Sequence, residues 1–179
     1  MKILVLTGSP RAKGTTALLA EQFAIGAKEA GHEVVRFDTA KLNIKPCMSC
    51  YHCRKNDDKC ALDDDMQNIY PEILSADMIV FVTPVYYFGI SAQLKAAIDR
   101  FFAINTKLQD AHKKAVLLSA GGDEEGWAMT ALKLSYETIC RYLNMEDMGQ
   151  IIALGCYQRE DMENSEYPEM AKKLGQSIK

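Results

Sequence analysis

Four cysteines fall in one short stretch, Cys47, Cys50, Cys53 and Cys60, spaced C-x2-C-x2-C-x6-C. Three thiolates at that tight spacing suit one face of an iron–sulfur cubane, so a [4Fe–4S] cluster is the first chemistry the sequence raises. Cluster-free thiols are a reading of at least equal weight, and His52, which lies between the cysteines, leaves a mixed zinc site as the third. Ala61, and not proline, follows the fourth cysteine, so no ferredoxin domain is implied.

A second group of residues has the makings of an anion cradle. Gly8-Ser9-Pro10-Arg11-Ala12-Lys13-Gly14-Thr15-Thr16 follows a short apolar run and offers glycines, hydroxyls and two cations. Backbone N–H groups at a helix start carry partial positive charge, Ser and Thr add short donors, and Arg11 adds a charge-assisted fork, which together suit a terminal phosphate. Neither G-x-x-x-x-G-K-[ST] nor G-x-G-x-x-G is present, so a nucleoside-triphosphate or dinucleotide loop is not expected. The plainer alternative is that Ser9, Thr15 and Thr16 cap a helix.

A third segment, Thr83-Pro84-Val85-Tyr86-Tyr87-Phe88-Gly89-Ile90-Ser91, puts three aromatics in a row. Such a loop offers a planar ring a stacking surface, with Pro84 stiffening the turn and Gly89 allowing close backbone approach. Covering the sheet or a subunit contact is the competing use of the same side chains.

These segments need elements to hold them. Lys2–Thr7 is a continuous apolar run with β-branched members, as in a strand covered on both faces. A helix is expected over Thr15–Ala30, stopped at Gly31, then a strand over Val34–Phe37 and a cysteine-rich insertion at about 46–62. Asp63-Asp64-Asp65 stands at a helix entrance before Met66, Ile69 and Ile73, where the dipole favours negative charge. Further strands are expected at Met78–Thr83, Ala115–Ala120 and Gln150–Leu154, and helices at Gln93–Ala103, Met129–Leu143 and Ser165–Ile178, with Pro84–Gly89 as a loop and Gly121-Gly122 as a turn. Five strands alternating with helices give one α/β domain over 1–179, a doubly wound five-stranded parallel sheet in three layers. Ligands of such sheets sit beyond the carboxyl ends of the strands, where the three loops above belong.

With 179 residues, 48% hydrophobic and 25% charged, the chain reads as one soluble globular body with one sizeable core. A net charge of −3 gives no reason to expect a nucleic-acid or membrane-surface binder. The amino-terminal apolar run is too short to span a bilayer and unlike a cleaved signal, so a cytoplasmic protein is expected, with thiols and not disulfides. Cys140 sits on a helical stripe and reads as a buried hydrophobe, Cys156 has no assigned role, and His32 and His112 read as surface groups. Trp127, after a glycine- and acid-rich loop, reads as a packing residue or a shield over a bound ring.

Gly8-Ser9-Pro10-Arg11 with Gly14-Thr15-Thr16, Asp63-Asp64-Asp65-Met66, Thr83-Pro84-Val85-Tyr86-Tyr87, Gln93-Leu94-Lys95 and Asp99-Arg100 together resemble the NADPH-dependent FMN reductase branch of the flavodoxin-like superfamily, over most of residues 1–122. The resemblance implies that Ser9, Arg11, Gly14, Thr15 and Thr16 hold the FMN phosphate, that Pro84, Val85, Tyr86, Tyr87, Phe88 and Gly89 contact the isoalloxazine, and that Gly121 and Gly122 lie near it. It also implies the flavodoxin-like strand order 2-1-3-4-5 and an NAD(P)H:acceptor reductase acting on small molecules such as a flavin or quinone, assembled as a homodimer or homotetramer with the flavin close to an interface. The chemistry would be the flavin's own, with no catalytic acid or base required. Lys95, Asp99 and Arg100 are assigned to structure, the Asp99–Arg100 neighbours as a solvated or capping pair. The cysteine loop resembles that of iron–sulfur flavoproteins in the same superfamily, which implies an alternative in which electrons pass between FMN, a [4Fe–4S] cluster and a ferredoxin. A non-redox module with zinc in the loop and an empty crevice is the remaining alternative.

Overall fold

The computed structural model describes residues 1–179. Six strands form one sheet: β1 (Lys2–Thr7), β2 (Glu33–Asp38), β3 (Met78–Tyr86), β4 (Gly89–Ile90), β5 (Lys114–Ala120) and β6 (Glu146–Ala153). The order is β2-β1-β3-β5-β6, parallel throughout, and β4 is a two-residue antiparallel addition to the end of β3. Counting only the parallel strands, this is the expected 2-1-3-4-5 order. Leu4 of β1 lies level with Val35 of β2 and Ile79 of β3, so the strand tops end at a common edge.

Period-two alternation divides the apolar residues of each central strand between two cores. Leu4, Leu6, Ile79, Phe81, Ala115 and Leu117 face one side, with α3 (Met66–Ser75), α4 (Ala92–Asp99) and α6 (Thr130–Tyr142) packed over them. Ile3, Val5, Met78, Val80, Val82, Val116 and Leu118 face the other, covered by α1 (Thr15–Glu29) and α8 (Tyr167–Ser177). The two covering helices cross so closely that a Cβ on Gly26 would stand 2.0 Å from the Lys172 carbonyl oxygen. Glycine is therefore a packing requirement there.

The boundaries depart from expectation in four places. The helix expected over Gln93–Ala103 stops at Asp99, tightens into a 3₁₀ segment over Arg100–Ile104 and restarts as α5 (Asn105–Ala111). β3 continues through Pro84 to Tyr86, because β5 pairs along it as far as Pro84 and β4 pairs beyond that. β6 begins four residues before the expected start at Gln150, its polar first half reading as coil in the sequence. Two short helices, α2 (His52–Lys55) and α7 (Arg159–Glu163), lie in segments too polar to show an apolar period. No helix is long and apolar enough to cross a membrane.

Candidate functional site

The loop after β1 is shaped by contacts on both sides. Gly8 N–H donates to the Val82 carbonyl at 2.8 Å, and a Cβ at this position would stand 2.3 Å from Ser91 Oγ and 2.7 Å from Leu94 Cβ. Only glycine lets the start of α4 approach so closely. Beyond it, Arg11 N–H donates to Ser9 Oγ at 3.2 Å and Gly14 N–H to the Arg11 carbonyl at 3.1 Å, curling the loop ahead of α1. The α1 amino terminus has Gly14 as its N-cap, no side-chain cap and no acidic residue in its first turn. Its outward N–H groups and dipole are left for an anion, which answers the capping alternative raised by the sequence.

Buried hydroxyls tie this loop to its neighbours. Ser91 Oγ–H donates to the Gly8 carbonyl at 3.0 Å, Ser91 N–H donates to Thr83 Oγ1 at 2.9 Å, and Ser119 Oγ–H donates to the Thr83 carbonyl at 2.7 Å. The carboxyl ends of β1, β3 and β5 are thereby fixed relative to one another. On the other flank Thr7 Oγ1–H donates to Asp38 at 2.6 Å, and Lys41 and Arg36 each approach that carboxylate at 2.7 Å. Burial opposes ionisation of Asp38, but Lys41, Thr7 and Arg36 overcome it and hold its pKa down at about 2. Sequence reasoning gave Thr7, Thr83, Ser91 and Ser119 no bracing role; a polar residue inside an otherwise apolar strand was the available signal for Thr7, Thr83 and Ser119.

The aromatic segment is a tight hairpin. Val85 pairs with Ile90 and Tyr86 with Gly89, leaving Tyr87 (φ 45°) and Phe88 (φ 64°) as the two turn residues. Left-handed backbone at both positions is the type I′ geometry that ordinarily selects Asn-Gly. Tyr87 is fully exposed, while Phe88 lies against Trp127 with ring centroids 5.3 Å apart.

Ser9, Arg11, Gly14 and Thr15 line one cavity of about 260 Å³ together with Pro84, Val85, Tyr86, Gly121, Gly122, Cys156 and Tyr157. A second cavity of about 270 Å³ shares Val85, Gly121 and Gly122 and extends under Tyr87 and Phe88. The expected residues thus converge, with two qualifications: the Thr16 side chain is buried away from both cavities, and Gly89 belongs to the sheet addition. Cys156 and Tyr157 enter the wall unannounced by the sequence. A Cβ on Gly122 would meet Tyr157 Cδ2 at 2.8 Å, so Tyr157 packs directly on this turn. An elongated crevice, anion-seeking at one end and aromatic at the other, fits a mononucleotide carrying a planar ring.

The four loop cysteines open on one further cavity, with Met48, Tyr51, Leu62, Arg100 and Phe102 in its wall. Cys53 is buried, Cys60 half-buried, and Cys47 and Cys50 exposed. The base of the loop is clasped shut: Asn43 N–H donates to Asp65 at 2.7 Å, Asp65 N–H to the Asn43 carbonyl at 3.1 Å, and Lys45 N–H to Asp64 at 3.0 Å. Within it Ser49, Tyr51, Asp57 and Asp58 all adopt positive φ, so the loop holds four strained backbone positions.

Arg100 corrects the expectation of a solvated pair with Asp99. Asp99 takes Lys95 at 2.6 Å, whereas Arg100 is 1% exposed and forks onto the Asp64 carboxylate at 2.7 and 3.1 Å. Burial acts against the Asp64 charge, but Arg100 and the Lys45 amide hold its pKa below the usual carboxylate range. Arg100 Nε is buried with no acceptor in the protein. Four soft donors, an apolar wall and an unpaired charged donor fit a [4Fe–4S] cluster in type and place, although no three ligating groups converge as a ready metal site in this structure. Cys140 is buried in the core, which pushes its thiol up to about 11, and His32 bridges the amino terminus and the Ile178 carbonyl and is not a free surface group.

Comparison with known proteins agrees with this geometry. The chain is 34% identical over 140 residues to an iron–sulfur flavoprotein of Methanocaldococcus jannaschii, covering 76% of this chain and 70% of that one. It is 30% identical over 162 residues to a Bacillus subtilis protein named as an NAD(P)H-dependent FMN-containing oxidoreductase, covering 87% and 86%. The structure of an NAD(P)H:quinone oxidoreductase from Methanothermobacter marburgensis superposes with TM-score 0.75 at 21% identity, over 98% of this chain and 94% of that one, a likeness of fold. The family model for NADPH-dependent FMN reductase matches residues 1–178, and the chain belongs to that family.

Proposed function

We propose that the crevice above β1, β3 and β5 holds FMN with its phosphate against Ser9, Arg11, Gly14, Thr15 and the first amides of α1 at Thr16, and its ring against Pro84 to Gly89 and Gly121-Gly122. The protein is an FMN-dependent NAD(P)H oxidoreductase, taking small-molecule donors and acceptors. Bound FMN supplies the redox chemistry, receiving electrons from the nicotinamide and passing them to an acceptor such as a flavin or quinone. The chain's own residues position and shield: the uncapped α1 terminus and Arg11 neutralise the phosphate, the hydroxyl braces hold the three loops, and Phe88 with Trp127 walls the ring end.

The observation that carries the reading is the single cavity joining Ser9, Arg11 and Thr15 to Pro84, Val85, Gly121 and Gly122. Its test is a fluorescence titration of apoprotein with FMN and with riboflavin. FMN should bind at least about tenfold more tightly, since charge-assisted phosphate contacts contribute about 1.5–3 kcal/mol each. Equal affinity for the two would end the phosphate assignment.

The cysteine cavity supports a second level of function. We read Cys47, Cys50, Cys53 and Cys60 as ligands of a [4Fe–4S] cluster, which would let the protein exchange single electrons with a ferredoxin. Support comes from the shared cavity, the unpaired Arg100 donor and the flavoprotein relatives. Anaerobic purification with flavin, iron, sulfide and zinc counted per chain separates cluster, thiols and zinc. The single sheet spanning the chain supports one domain over 1–179 with the cysteine loop as an insertion. The exposed rim of Tyr86, Tyr87, Phe88 and Trp127 around the crevice supports a homo-oligomer that covers the flavin, and the free thiols support a reducing cytoplasmic setting.

A further inference from the structure

Arg100 is 1% exposed and ion-paired with the fully buried Asp64 side chain, and its Nε has no acceptor in the protein. Buried polar groups are paired in more than about nine cases in ten. A guanidinium donor left without an acceptor is costly enough to point to a partner supplied by something bound. Nη1 is committed to Asp64 and to the Lys45 carbonyl at 2.9 Å, and Nη2 to Asp64, so the fork is locked and Nε cannot swing to a new protein acceptor. The same side chain forms part of the wall of the cavity on which all four loop cysteines open; Met48, Leu62, Phe102 and Ala103 carry no side-chain acceptor there, and neither the Ser49 nor the Tyr51 hydroxyl is bonded to it.

We propose that Arg100 donates its Nε–H to a sulfur of the cluster held by Cys47, Cys50, Cys53 and Cys60 and so raises that cluster's reduction potential; the proposal rests on the cluster reading above. A hydrogen bond to a thiolate or sulfide withdraws electron density from the iron and favours the reduced state. The cationic charge of Arg100 is already balanced by Asp64, so the effect comes from the directed donor and not from an unpaired charge. Asp64 is accordingly a positioning residue, which holds the guanidinium with Nε turned away from its own carboxylate.

The test uses protein purified anaerobically, with flavin, iron and sulfide counted, and a potentiometric titration of the cluster read by electron paramagnetic resonance. Arg100→Lys keeps a cation beside Asp64 and removes Nε. It should shift the one-electron equilibrium toward the oxidised state by about tenfold, equal to 59 mV, with cluster and FMN content unchanged. Should that variant misfold, Asp64→Asn combined with Arg100→Gln leaves no unpaired buried charge and should give the same shift. Wild-type protein grown on ¹⁵N-labelled arginine should show one nitrogen and one exchangeable proton coupled to the reduced cluster. A merely structural arginine would lower thermal stability without moving the potential, and an unmoved potential in a folded variant or a missing nitrogen coupling overturns the proposal. Wild-type protein free of iron and sulfide would remove the cluster reading and this proposal together while leaving the FMN reading intact.

Discussion

Replacing Tyr87 by asparagine tests whether the hairpin at the ring end of the crevice stores strain. Tyr87 and Phe88 both occupy left-handed backbone, at φ 45° and 64°, a conformation that costs an ordinary L-residue about 1–2 kcal/mol and asparagine much less. Tyr87 is fully exposed, so its ring contributes no packing in the isolated chain. Tyr87→Asn should therefore stabilise the apoprotein by about 1 kcal/mol, or raise Tm by about 2–4 °C for a domain of this size. Phe88→Gly is the internal control. It relieves the same backbone, but it loses the ring contact with Trp127, about 0.5–1.5 kcal/mol, and adds about 0.5–1 kcal/mol of chain entropy in the unfolded state, for no net gain. Scanning calorimetry of apoprotein reads both, and FMN titration should show Tyr87→Asn binding more weakly, by about fivefold, through loss of an aromatic contact of about 1 kcal/mol. A Tyr87→Asn chain no more stable than its parent would show that the tip holds no strain, and unchanged FMN affinity would remove Tyr87 from the ring site.

Gly8→Ala should cost about 1–3 kcal/mol in urea unfolding, because the added methyl meets Ser91 and Leu94 in a packed region and one of them must move; FMN affinity should fall with it. Arg11→Ala should leave stability unchanged and weaken FMN, but not riboflavin, by about tenfold, with the difference shrinking as salt is added. Asp38 has a folded pKa near 2, below its unfolded value, so its contribution is complete above about pH 4 and lost as pH falls toward 2. Asp38→Asn should flatten the stability-versus-pH curve in that window by about 1–2 kcal/mol after allowance for partial exposure. Asp64→Asn alone, which leaves Arg100 buried and unbalanced, should cost about 3–5 kcal/mol, and urea midpoints at pH 7 check it.

The fold was legible because the sheet is parallel and central. Continuous apolar runs such as Met78–Thr83 can be covered on both faces only by crossover helices, and that requirement gives the layers, while the strand order came with the family resemblance. The phosphate loop was legible for a local reason, a glycine- and hydroxyl-bearing turn between the first strand and first helix. What stayed hidden depends on partners distant in sequence. Arg100 beside Asp99 reads as a surface pair, and its true partner Asp64 is 36 residues away. The aspartates at 63–65 suggested dipole compensation, and Asp64 does accept the Met66 amide at the helix start, but Asp64 and Asp65 also clasp the cysteine loop. Tyr157 and Cys156 reach the crevice only because β6 lies at the sheet edge beside β5.

One helix links the two chemistries. At its start Ser91 is bonded to both Gly8 and Thr83, the turning points of the phosphate and ring loops. Immediately past its end Arg100 is bonded to Asp64 and Lys45, the two ends of the cysteine loop. The helix between them, Ala92–Asp99, is about 12 Å long at 1.5 Å per residue. It buries Leu94, Ala97 and Ile98 against the sheet, so it cannot slide without opening the core. The crevice and the cysteine cavity are therefore held at a separation set by α4 and not by either loop. Loop substitutions can retune one site at a time, while anything that shortens or tilts α4 must disturb both.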